Sequence, residues 1–235
     1  MKPVAMIPTF NEAENIQSLI GEILSVDNEI EVLVVDDDSP DGTAALVENI
    51  SKRNPRVHLM LRKEERGRGK AGIAGFLKAL ELGADCVIEM DGDFSHHPRY
   101  IPDFLKEIQD YDVIIGSRMV QGGEERERNV FRRFITKFAN LSIRWIYQIK
   151  IRDCTSGFRC FRRAVLDALP LKKMISRGPS IVEEVLYACH CQGFSFKETP
   201  IIFEDRKRGK SSLTLSKLCN TFFMVLRFRF SPAWK

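Results

Sequence analysis

The sequence lacks a long apolar run. A helix that crosses a bilayer needs roughly 20 consecutive apolar residues, and no segment of the 235 residues approaches that length. The longest late candidate, TFFMVLRFRF, is interrupted by Arg227 and Arg229. The apolar start of the chain gives way at once to polar NEAEN, which does not fit a secretory signal peptide. We therefore expect a cytoplasmic protein without a transmembrane helix.

Cysteine is too sparse for a disulfide-stapled fold. The six cysteines lie at positions 86, 154, 160, 189, 191 and 219, and one of them falls inside a predicted core strand. Reduced thiols are the better interpretation. The run Cys189-His190-Cys191 does not predict a metal site, because three consecutive residues of a helix point in different directions.

Acidic residues are absent from the end of the chain. Residues 206–235 contain eight Lys/Arg and no Asp/Glu, so this segment carries +8 and the remainder −4. Aromatic residues interleave with the cations, namely Phe222, Phe223, Phe228, Phe230 and Trp234. The segment is either a solvated tail or attracted to an anionic surface, and this mixture suits a lipid interface better than nucleic acid. We therefore expect a domain over residues 1–205, a membrane-proximal segment over 206–235, and no nucleic-acid partner.

Short apolar runs alternate with helix-length segments in the first half of the chain. The runs cover residues 4–8, 31–36, 57–61, 86–90 and 112–116, and the predicted helices cover 11–26, 41–53, 71–83 and 98–110. Asn11 and Glu14 fit a capping box at the start of the first helix. A helical run over 132–149, a helix near 179–192 and a strand within 194–203 follow. Such alternation predicts an α/β fold with a mostly parallel sheet covered on both faces.

Polar side chains follow four of the predicted strands. They are Asn11 and Glu12, then Asp36 to Asp38, then Asp91 and Asp93, and finally Ser117 and Arg118. Ligands of open parallel sheets bind beyond the carboxyl ends of the strands. The pattern therefore predicts a nucleotide or nucleotide-sugar site at this edge.

Three other motifs are set aside. GRGKAG at 67–72 matches a dinucleotide fingerprint, but the charged residues RKEER separate it from the preceding strand, and two other strands come before that one. Residues 37–48 nearly fit a calcium loop, yet they follow a strand rather than a helix. His96 and His97 precede a proline and are more typical of a turn or a helix start than of metal ligands.

The strand-end residues resemble a known family. IPTFNEAENI, VVDDDSPDGT, MDGDFSHHPRYIP, GSR, DCTSGFRCFRR and FEDRKRGKSS are similar, in order and spacing, to the dolichol- or polyprenol-phosphate mannose synthases of glycosyltransferase family 2. The resemblance implies an A-type glycosyltransferase fold, with a Rossmann-like, mostly parallel central sheet flanked by helices. It also implies GDP-mannose as donor, Mg²⁺ or Mn²⁺ as cofactor, and a dolichyl or polyprenyl phosphate as acceptor.

The resemblance assigns roles to matching positions. Residues expected to bind the donor are Pro8, Phe10, Glu12, Val35, Asp37, Asp91, Gly92 and Asp93, of which Asp91 and Asp93 would also hold the metal. Residues expected to contact the donor and acceptor phosphates are Arg118, Arg132, Arg206 and Lys210. The chain has Phe10 where tyrosine is more usual, Ser95 where some relatives carry glutamine, and Gly209-Lys210-Ser211-Ser212 where relatives often have G-x-S-K.

These residue types suit the implied reaction. Carboxylates select hard cations, and a divalent ion would offset the repulsion between Asp91 and Asp93. The acceptor phosphate is already anionic, so it needs orientation by guanidinium groups such as that of Arg118 more than deprotonation. This agrees with the lack of an obvious nucleophile–histidine pair. The resemblance implies inversion at the sugar, giving polyprenyl phosphate β-mannose.

Several alternatives stay open. The same fold could use UDP-glucose with undecaprenyl phosphate, or the chain could be a non-catalytic nucleotide-sugar-binding subunit. Four residues either shape the sugar or acceptor pocket or have a loop-and-cap role: Asp153, Thr155, Ser156 and Arg159. Glu184, on the following helix, is a candidate to face the sugar. A lipid acceptor implies peripheral attachment to the cytoplasmic face of a membrane, through the run 132–149 and the basic segment, with or without a separate small membrane subunit.

Overall fold

The computed structural model describes residues 1–126, 129–204 and 215–230. Nine strands lie in these residues: β1 (Pro3–Thr9), β2 (Glu31–Asp36), β3 (Val57–Leu61), β4 (Cys86–Glu89), β5 (Val113–Ser117), β6 (Glu124–Arg126), β7 (Arg159–Arg162), β8 (Phe196–Pro200) and β9 (Ile202–Glu204). Seven of them form one sheet in the order β3-β2-β1-β4-β7-β5-β8, and β6 pairs with β9 beside it. All pairs of the large sheet are parallel except those that β7 makes with β4 and β5.

Eight α-helices lie in the same residues: α1 (Ile16–Val26), α2 (Thr43–Ser51), α3 (Arg68–Glu81), α4 (Ile101–Glu107), α5 (Val130–Tyr147), α6 (Arg163–Ala168), α7 (Ile181–Cys191) and α8 (Leu215–Phe230). Two apolar clusters form the core, one on each face of the sheet. Helices α1, α2 and α4 cover one face, and α3, α5, α7 and α8 cover the other. The predicted mostly parallel sheet with flanking helices is confirmed, and it explains why its strands are apolar without alternation.

The end of the chain packs on this core. Val225 and Phe228 of α8 are buried in the same cluster as residues of α3, α5 and α7. Residues 205–214 and 231–235 lie outside the described part, so the division at 205/206 stays a prediction. In the residues that the structure describes, no helix is long and apolar enough to span a bilayer.

The predicted start of the first helix is wrong. Helix α1 begins at Ile16, and Asn11 has a left-handed backbone with φ of 62°. The carbonyl of Glu12 accepts the first hydrogen bonds, from the amides of Asn15 and Ile16. Residues 10–15 therefore form a turn over the end of β1, since a left-handed residue cannot act as a helix cap in the usual extended conformation.

Strand β7 was not predicted. Its four residues, RCFR, have an arginine at each end and only two apolar residues between them. The strand inserts antiparallel between β4 and β5, with Ile88 opposite Cys160. Its pairing depends on its neighbours in the sheet, which a local pattern does not contain.

The glycines of GRGKAG have a packing role. The amide of Gly69 donates to the carbonyl of Arg177 at 3.0 Å. A Cβ at Gly69 would lie 2.3 Å from the carbonyl oxygen of Ser176, and one at Gly67 would lie 2.6 Å from that of Arg177. Only a residue without a side chain lets the start of α3 approach this loop so closely.

We predict that Gly69→Ala lowers the free energy of unfolding by about 1–3 kcal/mol, because the new methyl group meets backbone that cannot rotate away. Gly21→Ala is the matched control, since its Cβ would meet nothing within 4 Å. In the middle of α1 this control should raise stability by about 0.5–1 kcal/mol. Urea unfolding followed by circular dichroism measures both; equal effects of the two substitutions would contradict the packing role.

Candidate functional site

The site forms where the chain reverses its direction across the sheet. From β1 the chain proceeds outward to β2 and β3, and it returns to the other side of β1 with β4. Ligands of open α/β sheets bind at such a switch, beyond the carboxyl ends of the two strands. Here the segments after β1 and β4 are Phe10–Glu12 and Asp91–Asp93. A Cβ at Gly92 would lie 3.3 Å from Cγ of Glu12, so the two segments are in contact.

The residues that are predicted to bind the nucleotide differ in burial. Asp37 is buried and pairs with Arg62, and it accepts a hydrogen bond from the amide of Gly67 at 2.6 Å. Val35 is fully buried in the core, whereas the Phe10 ring is 54% exposed. Asp37 and Val35 thus lie below the surface at the end of β2, whereas Phe10 is exposed after the end of β1. The roles of these residues and of Pro8 in donor binding stay predictions.

The acidic turn after β4 is held by backbone hydrogen bonds. The amide of Asp91 donates to Nδ1 of His96 at 3.2 Å, and that of Ser95 donates to Asp93 at 3.1 Å. Phe94, between them, has a left-handed backbone with φ of 63°. Burial lowers the pKa of His96, which agrees with a neutral ring that accepts a hydrogen bond. His96 thus organises the turn, and His97 accepts from the amide of Arg99 at the start of a short 3₁₀ helix.

The two carboxylates fit a hard divalent cation. The Asp91 side chain is 41% exposed while Asp93 is buried. The buried Ser95 hydroxyl beside them has no hydrogen-bond partner, so a further oxygen is available. No cluster of three or more His, Cys, Asp or Glu suited to a metal occurs in the described residues. Diphosphate oxygens and water would therefore have to complete an octahedral shell.

Arg68 is a residue of this site that sequence reasoning missed. Its Nη2 atom lies 2.8 Å from Oε1 of Glu89 and 3.6 Å from Oδ1 of Asp91. Arg68 is the first residue of α3, within the GRGKAG motif that was set aside as a dinucleotide fingerprint. The signal in the sequence is an arginine at the start of a helix that follows a strand.

Arg118 is held in a buried ion pair. Its Nε and Nη2 donate to the two oxygens of Asp153 at 2.8 and 2.7 Å, and its amide donates to the same carboxylate at 2.9 Å. Its Nη1 lies 3.4 Å from Glu125. Burial by itself raises the pKa of Asp153, but Arg118 more than offsets this and holds the pKa below its usual range. Arg118 is therefore fixed in orientation at the end of β5.

The loop that carries Asp153 is tied to α5. The Oδ1 atom of Asn140 accepts hydrogen bonds from the amides of Cys154 and Thr155, at 2.7 and 3.2 Å. The Thr155 hydroxyl in turn accepts from Nη2 of Arg118 at 2.8 Å. Helix α5 thus supports the arginine through this loop.

Other predicted residues are distributed around the site. Arg159 is fully buried and donates to the carbonyls of Val182 and Cys154, and Glu184 accepts from the amides of Ile175 and Ser176. The side chains of Arg159 and Glu184 therefore support loops, because they bond to backbone groups. Arg132 is exposed on the first turn of α5. Arg206 and Lys210 lie outside the described residues, and their phosphate contacts stay predictions.

Comparison with known proteins places the chain among enzymes. Residues 4–169 match the model of the family described as Glycosyl transferase family 2. The chain is 36% identical over 226 residues to the polyprenol monophosphomannose synthase of Mycolicibacterium smegmatis. This alignment covers 95% of the chain and 85% of that protein. It is 33% identical over 235 residues to the undecaprenyl-phosphate mannosyltransferase of Micrococcus luteus. This alignment covers 100% of the chain and 97% of that protein.

Solved structures share the fold. One is glucosyl-3-phosphoglycerate synthase from Mycobacterium tuberculosis in complex with Mn²⁺, UDP and glucosyl-3-phosphoglycerate, with a TM-score of 0.69 at 16% identity over 97% of this chain and 78% of that one. Another is a mannosyltransferase from Pyrobaculum calidifontis in complex with GDP-Man and Mn²⁺, with a TM-score of 0.56 at 19% identity over 88% of this chain and 58% of that one. The expected A-type glycosyltransferase fold is thereby confirmed.

We predict that Asp153→Ala lowers the free energy of unfolding by about 3–5 kcal/mol at pH 7, because it leaves the buried Arg118 without its main partner. Asp167→Ala removes an exposed carboxylate paired with Arg163 at 3.2 Å, and this control should change stability by less than about 1 kcal/mol. Urea unfolding at several pH values measures both.

The stabilising contribution of Asp153 should decrease at low pH. The folded pKa of Asp153 lies below its ordinary value of 3.8, so its stabilising contribution is complete above that pH and is lost as the pH falls through the folded pKa. The difference between wild type and Asp153→Ala should therefore narrow in acid. A difference that stays constant down to the acid transition would contradict an ionised Asp153.

Proposed function

Because the chain belongs to glycosyl transferase family 2, we propose that it transfers mannose from GDP-mannose to a dolichyl or polyprenyl phosphate, with inversion, to give polyprenyl phosphate β-mannose. The relatives from Mycolicibacterium smegmatis and Micrococcus luteus, similar over almost their whole length, are named for this sugar and this class of acceptor. The observation that carries the proposal is the Asp91-Gly92-Asp93 turn, which lies against Glu12 at the switch between β1 and β4.

Asp91 and Asp93 would hold Mg²⁺ or Mn²⁺, which when bound supplies positive charge for the departing diphosphate. The chain's own contribution is orientation. Backbone hydrogen bonds through His96 and Ser95 fix the acidic turn before any ligand arrives. Pro8, Phe10, Glu12, Val35, Asp37 and Gly92 would form the rest of the donor pocket.

Arginine side chains would orient the phosphates. Arg118 has its guanidinium plane fixed by Asp153, and Asp91 is close enough to act on it electrostatically. A preoriented cation loses little freedom when it binds an anion. Arg132, Arg206 and Lys210 would supply further charge for the acceptor phosphate, whose oxygen attacks the sugar without prior deprotonation.

The outer face of α5 suits a membrane, where such an acceptor is found. Five exposed apolar side chains recur at helical spacing on one side of the helix: Phe131, Phe134, Phe138, Leu141 and Trp145, each 62–82% exposed. The opposite side buries Thr136 and Asn140 together with Ile143 and Tyr147. This helix therefore carries apolar side chains on its outer face as well as on its buried face, whereas in an ordinary soluble domain they face mainly the core.

The charge of α5 indicates which kind of partner this face binds. The helix contains Arg132, Arg133, Lys137 and Arg144 and no acidic residue. Aromatic side chains beside cations are typical of a helix that lies in the interface of an anionic bilayer. We infer peripheral attachment to the cytoplasmic face of a membrane through this surface, with the basic segment 206–235 and any separate small membrane subunit as additional contacts.

The reaction can be tested directly. The purified protein is incubated with polyprenyl phosphate, Mn²⁺ and either labelled GDP-mannose or labelled UDP-glucose. Label from GDP-mannose should enter the lipid phase, and EDTA should abolish it. Transfer from UDP-glucose alone would favour the alternative donor, and transfer from neither would favour a non-catalytic nucleotide-sugar-binding subunit.

We predict that Asp91→Asn lowers the transfer rate by at least about 100-fold, because loss of a metal ligand removes several kcal/mol of transition-state stabilisation. Asp103→Asn, an exposed change in the first turn of α4, should leave the rate within about two-fold of wild type, as expected of a surface substitution. Undiminished transfer by Asp91→Asn would show that the metal assignment is wrong.

We predict that Phe134→Ser and Phe138→Ser each weaken binding to vesicles of phosphatidylcholine and phosphatidylglycerol by about ten-fold or more, since a buried Phe contributes roughly 1.5–3 kcal/mol. Leu61→Ser, at an exposed apolar residue outside α5, is the control and should bind as wild type does. Flotation measures binding, and a blue shift of Trp145 emission in a Trp234→Phe background reports insertion. Equal binding by all variants would refute the α5 surface, and binding only in the presence of another protein would favour a membrane subunit.

A further inference from the structure

Arg68 connects two carboxylates of different accessibility. Its Nη2 atom lies 2.8 Å from Glu89, whose side chain is 3% exposed, and 3.6 Å from Asp91, whose side chain is 41% exposed. One guanidinium nitrogen therefore faces both a buried anion and a predicted ligand of the metal. In the described residues, Arg68 is the cation that forms an ion pair with Glu89.

The buried anion keeps Arg68 in position. Burial alone lowers the pKa of Arg68, but Glu89 and Asp91 more than offset this, so the group remains charged. An arginine anchored at Glu89 cannot swing away from the site when Asp91 takes another partner, because the buried carboxylate would then be uncompensated. The cation is thus a fixed part of the acidic turn.

Gly157 lies beside the Arg68–Asp91 pair. A Cβ at Gly157 would lie 3.8 Å from Nη2 of Arg68, 3.9 Å from Oδ1 of Asp91 and 3.6 Å from Cε1 of His96. These are ordinary van der Waals distances, so a methyl group at this position would contact all three residues.

A fixed cation beside Asp91 has opposite effects on the two components of a metal–diphosphate complex. It repels a divalent cation that approaches the carboxylate alone. It attracts a diphosphate, for which guanidinium is a strong hydrogen-bonding partner. Arg68 therefore weakens the binding of a metal ion alone and strengthens the binding of a diphosphate.

We propose that Arg68 is a specificity residue of the donor site: it pairs with Asp91 in the free protein, opposes binding of the metal alone, and binds the diphosphate of the nucleotide sugar. The metal then enters preferentially together with the nucleotide. This inference rests on the proposed function for the presence of a diphosphate donor. It does not depend on which base or sugar the donor carries.

Isothermal titration calorimetry tests the inference without turnover. MnCl₂ alone is titrated into wild type, Arg68→Gln and Arg68→Lys, and GDP alone is titrated in EDTA. For Arg68→Gln, Mn²⁺ should bind about ten-fold more tightly and GDP about ten-fold more weakly, each shift corresponding to about 1.4 kcal/mol. Arg68→Lys keeps the charge and should restore most of both affinities. Lys78→Gln, at the far end of the same helix and paired with Glu81 at 3.0 Å, is the control for charge loss and should change neither.

The opposite signs separate this role from a structural one. If Arg68 only compensates Glu89, then Arg68→Gln should weaken both ligands together or leave both unchanged, and either outcome would overturn the proposal. If Arg68→Gln does not fold, the double variant Glu89→Gln/Arg68→Gln removes the uncompensated buried charge and carries the same measurement. Repeating the nucleotide titration with UDP separates the two proposals, since UDP binding more tightly than GDP contradicts the proposed donor while opposite shifts still support Arg68.

Discussion

Carboxylates gathered at one edge of a sheet repel one another, and the rest of the site depends on how that repulsion is offset. Asp37 pairs with Arg62, Glu89 with Arg68, and Asp153 with Arg118. Asp36 is compensated by hydrogen bonds from Thr9 and Ser39 instead. Each partner comes from a different segment of the chain, so neutralising the charges also fixes the loops. The same ion pairs and hydrogen bonds therefore compensate the charges and determine the geometry of the site.

The paired carboxylates of Asp37, Glu89 and Asp153 are buried, whereas that of Asp91 is 41% exposed. Asp91 is the accessible carboxylate of the acidic turn, and its cationic neighbour Arg68 is already bound to Glu89. A site built in this way has negative charge available for a metal and positive charge available for a phosphate within a few ångströms. Such an arrangement is suited to a substrate that brings an anion and requires a cation, as a nucleotide sugar does.

Helix α5 joins this edge of the sheet to a second surface. On its buried side, Asn140 supports the loop of Asp153 and thereby Arg118. Its aromatic side chains are turned outward. A helix that exposes Phe and Trp in water is unfavourable unless another apolar phase receives them. The exposed aromatic face is therefore explained if the same helix that orients an arginine for a phosphate also lies against the lipid that carries that phosphate.

The sequence by itself determined the parallel sheet and the acidic turn at the end of β4, and it predicted the edge of the candidate site, because these follow from apolar runs and from residues adjacent to them. It also indicated the helical run that became α5. Only the tertiary structure decided that β7 enters the sheet, that Glu184 and Arg159 support loops, and that Arg68 joins the site. Those outcomes depend on contacts between residues far apart in the chain, such as Arg68 with Glu89 or Gly69 with Ser176, and local periodicity carries no information about them. For the same reason the sequence showed aromatic residues in α5, but only packing of its opposite face showed that they point outward.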